Sequence, residues 1–176
     1  DHIVQSFFNS FNLPVVTLRP FNTFGPRQSL RAVIPTIIGQ TINEKKIKVG
    51  NLKPTRDFNY VEDIANGFYM ALKSKNKKIF GEVINLGTGY EISIKNLLGI
   101  IKKISNKSLS FKIDNQRVRI SKSEVFRLKA SNKKAIKFIQ WKPKYSGYKG
   151  LCKALKLTYG WYEKNKKNFK SDLYNI

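Results

Sequence analysis

The feature that most constrains the fold is a change of period between residues 13 and 42. Leu13-Pro14-Val15-Val16-Thr17-Leu18 is short, apolar and β-branched, which reads as a buried strand. Beyond it Ile34, Ile37, Ile38 and Ile42 recur at helical spacing, with Pro35 suited to a first helical turn. A strand feeding a helix through Arg19-Pro20-Phe21-Asn22-Thr23-Phe24-Gly25-Pro26-Arg27 places the chain in the α/β class. In open α/β sheets the crevice outside the carboxyl ends of the strands binds ligands. Asn22 would offer an amide acceptor and two donors there. Gly25-Pro26 turns the chain sharply, and Arg27 and Arg31 bring fixed positive charge. The competing reading is a plain loop whose Asn bonds its own backbone.

The same alternation continues downstream. Val4, Phe7, Phe8 and Phe11 form an apolar stripe on a helix spanning residues 1 to 11, read as core packing. A helix from about Pro35 to Asn43 leads to a short strand at Ile47-Lys48-Val49-Gly50. Ile64, Phe68 and Leu72 mark another helix, with Glu62 and Asp63 in its first turn, where capping is the favoured role. Val83 to Leu86 is strand-like. The next stretch, Gly87-Thr88-Gly89, is no dinucleotide loop, because Ile92 stands where the fingerprint needs its third glycine. Ser93 caps the cleanest helix, marked by Ile94, Leu97, Leu98, Ile101 and Ile104. Leu109, Phe111 and Ile113 alternate like an edge strand, and a polar loop runs from Asp114 to Arg127. Helices are expected from Ser131 to Gln140, stopped by Trp141-Lys142-Pro143, and from Gly150 to Tyr162, with a frayed Lys- and Asn-rich tail at 169–176.

Composition narrows the function. There are 34 Lys and Arg against 11 Asp and Glu, a net charge of +23. Such a charge raises nucleic-acid binding as a reading, but the lysines are scattered through every element. The arginines are placed differently: Arg19, Arg27, Arg31, Arg56, Arg117 and Arg119 fall in loop-like stretches beside strands and turns. A guanidinium fork suits a diphosphate, whereas diffuse lysines suit a solvated surface. Nucleic acid is therefore not the expected partner. One cysteine, Cys152, and one histidine, His2, exclude a disulfide framework and a Cys/His zinc site, and a reducing cytoplasm fits. No run of about 18 apolar residues exists to cross a membrane. Asp1-His2-Ile3-Val4 is neither a signal peptide nor an initiator, so the N-terminus reads as cut. For Arg56 two readings compete, a surface ion pair with Asp57 and an anion ligand.

Four separated motifs carry a resemblance: Arg19 to Ser29, Thr55-Arg56-Asp57-Phe58-Asn59-Tyr60-Val61-Glu62-Asp63, Asn85-Leu86-Gly87-Thr88-Gly89, and Arg117-Val118-Arg119-Ile120-Ser121-Lys122-Ser123-Glu124-Val125. Together they resemble the C-terminal half of extended short-chain dehydrogenase/reductases, the NAD-dependent sugar-nucleotide epimerases and dehydratases. Among these the chain looks most like the 4,6-dehydratases that act on UDP- or GDP-linked N-acetylglucosamine in legionaminic acid biosynthesis. It departs from the family pattern at Ile120, where the family has Pro, and at Gln140, where it has Gly.

The resemblance implies residues 1–28 as the end of a Rossmann-type domain, 29–168 as mainly a sugar-nucleotide-binding domain, and 82–87 as a strand returning to the Rossmann sheet. It implies NAD as cofactor, with Pro20 and Asn22 beside the nicotinamide. It implies substrate contacts at Asn22 and Asn85, a nucleotide pocket of Val33, Ile47 and Val49, and a diphosphate clamp of Arg56 and Arg119. In the family a catalytic Tyr and Lys stand upstream of Asp1, so no catalytic residue is expected in these 176. Family dehydratases take a hydride from C4, lose water across C5 and C6, and return the hydride to C6. A homodimer is the family's usual state. A 4-epimerase would share every motif seen here, and a non-catalytic basic binding module is the alternative of another class.

Overall fold

The computed structural model describes residues 1–44, 46–118 and 123–168. In chain order the elements are α1 (His2–Phe11), β1 (Thr17–Pro20), β2 (Thr23–Phe24), α2 (Val33–Asn43), β3 (Lys46–Val49), β4 (Thr55–Arg56), β5 (Asn59–Tyr60) and α3 (Val61–Lys73). Then come β6 (Val83–Leu86), β7 (Ile92–Ser93), α4 (Ile94–Ser105), β8 (Ser110–Ile113), β9 (Arg127–Leu128), α5 (Lys133–Ile139) and α6 (Gly147–Lys164). Four pairs among the described residues are parallel: β1 with β6, β2 with β5, β3 with β8, and β4 with β9. β4 lies between β7, which runs antiparallel to it, and β9, which runs parallel. Each parallel pair is joined by a crossover containing helix, as parallel pairing requires.

Two apolar clusters hold these elements. The larger one gathers Ile34, Ile37 and Ile38 of α2, Ile47 of β3, Leu97 and Ile101 of α4, and Leu155 and Tyr162 of α6. Each helix contributes residues three or four apart, the spacing that keeps one stripe inward. The smaller cluster joins Ile64 of α3, Ile84 and Leu86 of β6, Ala135 of α5 and Trp141. A Cβ on Gly67 would come 2.8 Å from Leu86, so only glycine lets α3 lie this close to β6. Ser93 accepts a hydrogen bond from the Asn96 amide at 3.2 Å and caps α4.

The structure corrects several expectations. α1 buries no residue: Ile3 is 76% exposed and Phe11 72%. Its apolar stripe is not core, because the sheet beneath it is only the β1–β6 pair and only Phe8 reaches in, packing over Gly81. For the same reason β1 is half-buried to exposed rather than buried, and it begins at Thr17, not Leu13. Asp63 caps no helix. Its carboxylate accepts from the Lys144 and Tyr145 amides at 2.8 and 2.9 Å, while its carbonyl accepts from Trp141 Nε1 at 2.9 Å. The acidic residue that looked like a cap is the clamp that ties α3 to the turn before α6. Arg127, assigned to a loop, pairs in β9. The edge strand is found at β8, whose four residues are all exposed, and the tail at 169–176 lies outside the described residues.

Candidate functional site

A cavity of about 660 Å³ opens where the loops after β2 and β3 and the segment before β9 meet the start of α2. Its apolar wall includes Val33 of α2 and Val49 of β3, and Asn22 stands at its rim just past β1. Among the described residues that line it are four cations, Arg31, Lys48, Arg56 and Arg117, and one carboxylate, Glu124. The volume and the mixture of an apolar wall with a few convergent charges suit a small-molecule ligand with an anionic part. One glycine sets part of its outline: a Cβ on Gly50 would come 2.3 Å from the Arg117 carbonyl oxygen.

Arg56 is carried into this cavity by β4, the middle strand of its sheet. Its Nη1 donates to the Thr55 carbonyl at 2.8 Å and its Nη2 pairs with Glu124 at 3.0 Å. Both side chains are mostly buried, 15% and 8% exposed. The competing sequence reading, a surface pair with Asp57, is thus corrected. Asp57 points the other way and has no exposed surface. Its Oδ1 accepts from Thr88 N, Thr88 Oγ1 and Asn59 Nδ2, and its Oδ2 accepts from the amides of Gly89 and Ala130. The Thr88 and Gly89 N–H groups are thus engaged by an internal carboxylate. A Cβ on Gly87 would also stand 2.2 Å from Ala130.

Of the expected site residues, Asn22, Val33, Val49 and Arg56 come together around the cavity. Asn22 Nδ2 approaches the Asp57 carbonyl at 3.4 Å, so one of its donors leans on the backbone behind the site. Ile47 does not join them. It is fully buried, because β3 turns it beneath Val49 into the α2–α4–α6 core. Pro20 and Asn85 also lie outside the cavity lining. Pro20 is exposed at the end of β1, and Asn85 is half-buried on β6, paired with Arg19. They sit at the carboxyl ends of a parallel pair, from which the chain runs on to Asn22, where an α/β sheet offers a second crevice. Arg119 lies outside the described residues. The site expected from the motifs did not include Arg31, Lys48, Arg117 or Glu124. The clustering of Arg27, Arg31 and Arg117 beside turns was a signal for the arginines, and Glu124 stood inside the fourth motif without being read as a site residue; nothing local marks Lys48.

A second charged cluster is built around the same strand, β4. Glu91 accepts from Arg127 at 2.6 and 2.8 Å and from Thr55 Oγ1 at 2.8 Å. The Arg127 and Thr55 hydrogen bonds hold its carboxyl down from the ordinary 4.5 to about 2. This cluster fastens β7, β4 and β9 and so fixes the strand that carries Arg56.

The profile of the GDP-mannose 4,6 dehydratase family matches residues 1–154. The chain belongs to that family. It is 40% identical over 110 residues to the dTDP-D-glucose 4,6-dehydratase of Dictyostelium discoideum, a match that covers 62% of this chain and 24% of the relative. It is 30% identical over 174 residues to the human dTDP-D-glucose 4,6-dehydratase, covering 96% of this chain and 47% of that one. Among solved structures, the UDP-glucuronic acid 4-epimerase of Bacillus cereus, in complex with UDP-glucuronic acid and NAD, superposes with a TM-score of 0.82 at 30% identity. The match covers 93% of this chain and 50% of that one. The chain thus spans half or less of the length of these relatives.

Proposed function

We propose that these 176 residues are the sugar-nucleotide-binding half of an NAD-dependent nucleotide-sugar 4,6-dehydratase. The observation that carries the proposal is Arg56, held on the middle strand of a sheet and aimed into a cavity whose other wall is apolar. A nucleoside diphosphate needs such a pairing. Its base and ribose lie on Val33 and Val49, and its diphosphate meets a guanidinium whose planar fork matches two phosphate oxygens. Arg119 is the second clamp of this reading, and Asn22 orients the sugar at the rim. The division at residue 28, with 82–87 returning beside β1, makes the β1–β6 pair the part of the dinucleotide sheet contributed here.

NAD supplies hydride acceptance and return. The contribution of these residues is orientation: Pro20, Asn22 and Asn85 sit at or just beyond the carboxyl ends of β1 and β6, the edge that faces a nicotinamide in this reading. The chemistry of proton transfer is assigned to the half of the family fold outside these residues. The sugar proposed is N-acetylglucosamine on UDP or GDP, on the strength of the resemblance carried by the four motifs together, with legionaminic acid as the end use, a cytoplasmic setting and a homodimer. A 4-epimerase is the second reading, favoured by the superposition on the Bacillus cereus 4-epimerase.

The test is to incubate the protein that carries this chain with NAD and UDP-N-acetylglucosamine and track product mass. Loss of one water supports the dehydratase. Unchanged mass with inverted C4 by NMR supports the epimerase. No turnover of UDP- or GDP-linked sugar, together with nucleic-acid affinity that falls steeply with salt, would leave a basic binding module instead.

A further inference from the structure

We infer that Glu124 is an internal anion that occupies Arg56 until a multiply charged ligand displaces it. The inference rests on the reading of the cavity as a diphosphate site and goes beyond it by assigning Glu124 the edge of Arg56 that the diphosphate takes. Glu124 is the single carboxylate among the described residues lining the cavity, and it lies 3.0 Å from the guanidinium that the ligand needs. Arg56 has five N–H donors in a fixed plane. One edge is held by the Thr55 carbonyl and the other by Glu124. A phosphate approaching from the cavity meets the edge on which Glu124 sits.

Charge sets which ligands can open the pair. With the pair closed, Arg56 and Glu124 sum to zero in a site screened poorly from within. A monovalent anion gains little by entering. A diphosphate that joined without moving Glu124 would find the cavity-facing edge of the Arg56 guanidinium already taken by a carboxylate. The carboxylate therefore swings away as the ligand arrives. Its surroundings permit this. The neighbouring Val125 and Phe126 are 50% and 54% exposed and belong to neither apolar cluster, and the backbone beyond them is held to β4 by the Thr55 N–H on the Phe126 carbonyl, so the movement is one of the Glu124 side chain alone. The same arrangement is repeated nearby, where Arg117 is held by Asp114 at 3.2 Å. Two of the four cations lining the cavity among the described residues are thus pre-paired with carboxylates, which favours ligands of high charge density over chloride or a monoester.

The experiment is a calorimetric titration of inorganic pyrophosphate, which has no nucleoside, into the NAD-saturated protein that carries this chain. Glu124→Gln keeps the side chain's shape and removes its charge, and far-UV circular dichroism checks that the fold is kept. The expected result is pyrophosphate affinity at least threefold higher in Glu124→Gln than in the parent. Adding Arg56→Ala to that variant abolishes the gain. Equal or weaker pyrophosphate binding to Glu124→Gln overturns the inference. A parallel titration with UDP separates the two claims. If UDP affinity is indifferent to Arg56→Ala, the diphosphate reading itself fails and the inference falls with it. If UDP affinity depends on Arg56 while pyrophosphate affinity ignores Glu124, only the internal-anion role is lost.

Discussion

Asp57 is a buried charge whose cost is offset by five hydrogen bonds, three to Oδ1 and two to Oδ2. Its donors come from segments as far as 73 residues away, so one side chain welds the end of β4 to the loop after β6 and to Ala130 after β9. Asp57→Asn would turn an amide N–H₂ against backbone N–H groups at one of its ends. The expected cost is about 3 kcal/mol, read as a lower denaturant midpoint with an unchanged slope. Glu91 makes a prediction in pH. Its carboxyl titrates near 2 in the fold and at the ordinary 4.5 when unfolded. Below 4.5 the unfolded chain takes up the proton first, so the contribution of Glu91 is complete above 4.5 and lost as pH falls toward 2. Thermal melts of Glu91→Gln from about pH 2 to about pH 5 should show a flatter acid dependence than the parent; identical slopes would remove Glu91 from the acid response.

At the scale of elements, α5 ends in a strained residue. Its C-cap is Gln140, held left-handed at φ 54° while its amide donates back to the last turn. That conformation costs a residue with a Cβ about 1 kcal/mol, and glycine adopts it freely. Gln140→Gly should therefore raise stability by about 1 kcal/mol in chemical denaturation, whereas destabilisation would mean that contacts of the Gln side chain outweigh the strain. Elements with several turns were the legible ones. The isoleucines of α2, the Ile94-to-Ile101 stripe of α4 and the Ser93 cap are local patterns, and each lies where its period places it. Two-residue strands such as β2, β5, β7 and β9 carry no period at all and exist only through their partners. The α1 stripe misled because amphipathicity reports that a face is apolar, not that something covers it. Asp63, Asp57 and Glu124 were illegible for a related reason: the partners that define them lie 31 to 82 residues away along the chain. Arg56 was legible as a ligand candidate through a long motif, but its resting partner was not.

On the scale of the whole molecule, the described residues of a chain with a charge of +23 fold around two apolar clusters and leave a charged cavity between α2, β3 and the β4 sheet. The excess lysine does not define this cavity; among the described residues three arginines and one lysine line it. The chain covers 50% of the Bacillus cereus epimerase on which it superposes, and its exposed α1 face and narrow β1–β6 pair contribute nothing to the cavity wall. The site can therefore be tested for binding apart from turnover. The most direct measurement is the affinity of the chain for UDP, parent against Arg56→Ala, by calorimetry at fixed salt. Charge-assisted bonds of about 1.5–3 kcal/mol from the guanidinium to phosphate predict a loss of about tenfold or more in affinity. Equal affinity in the two proteins would contradict the assignment of this cavity to a nucleoside diphosphate.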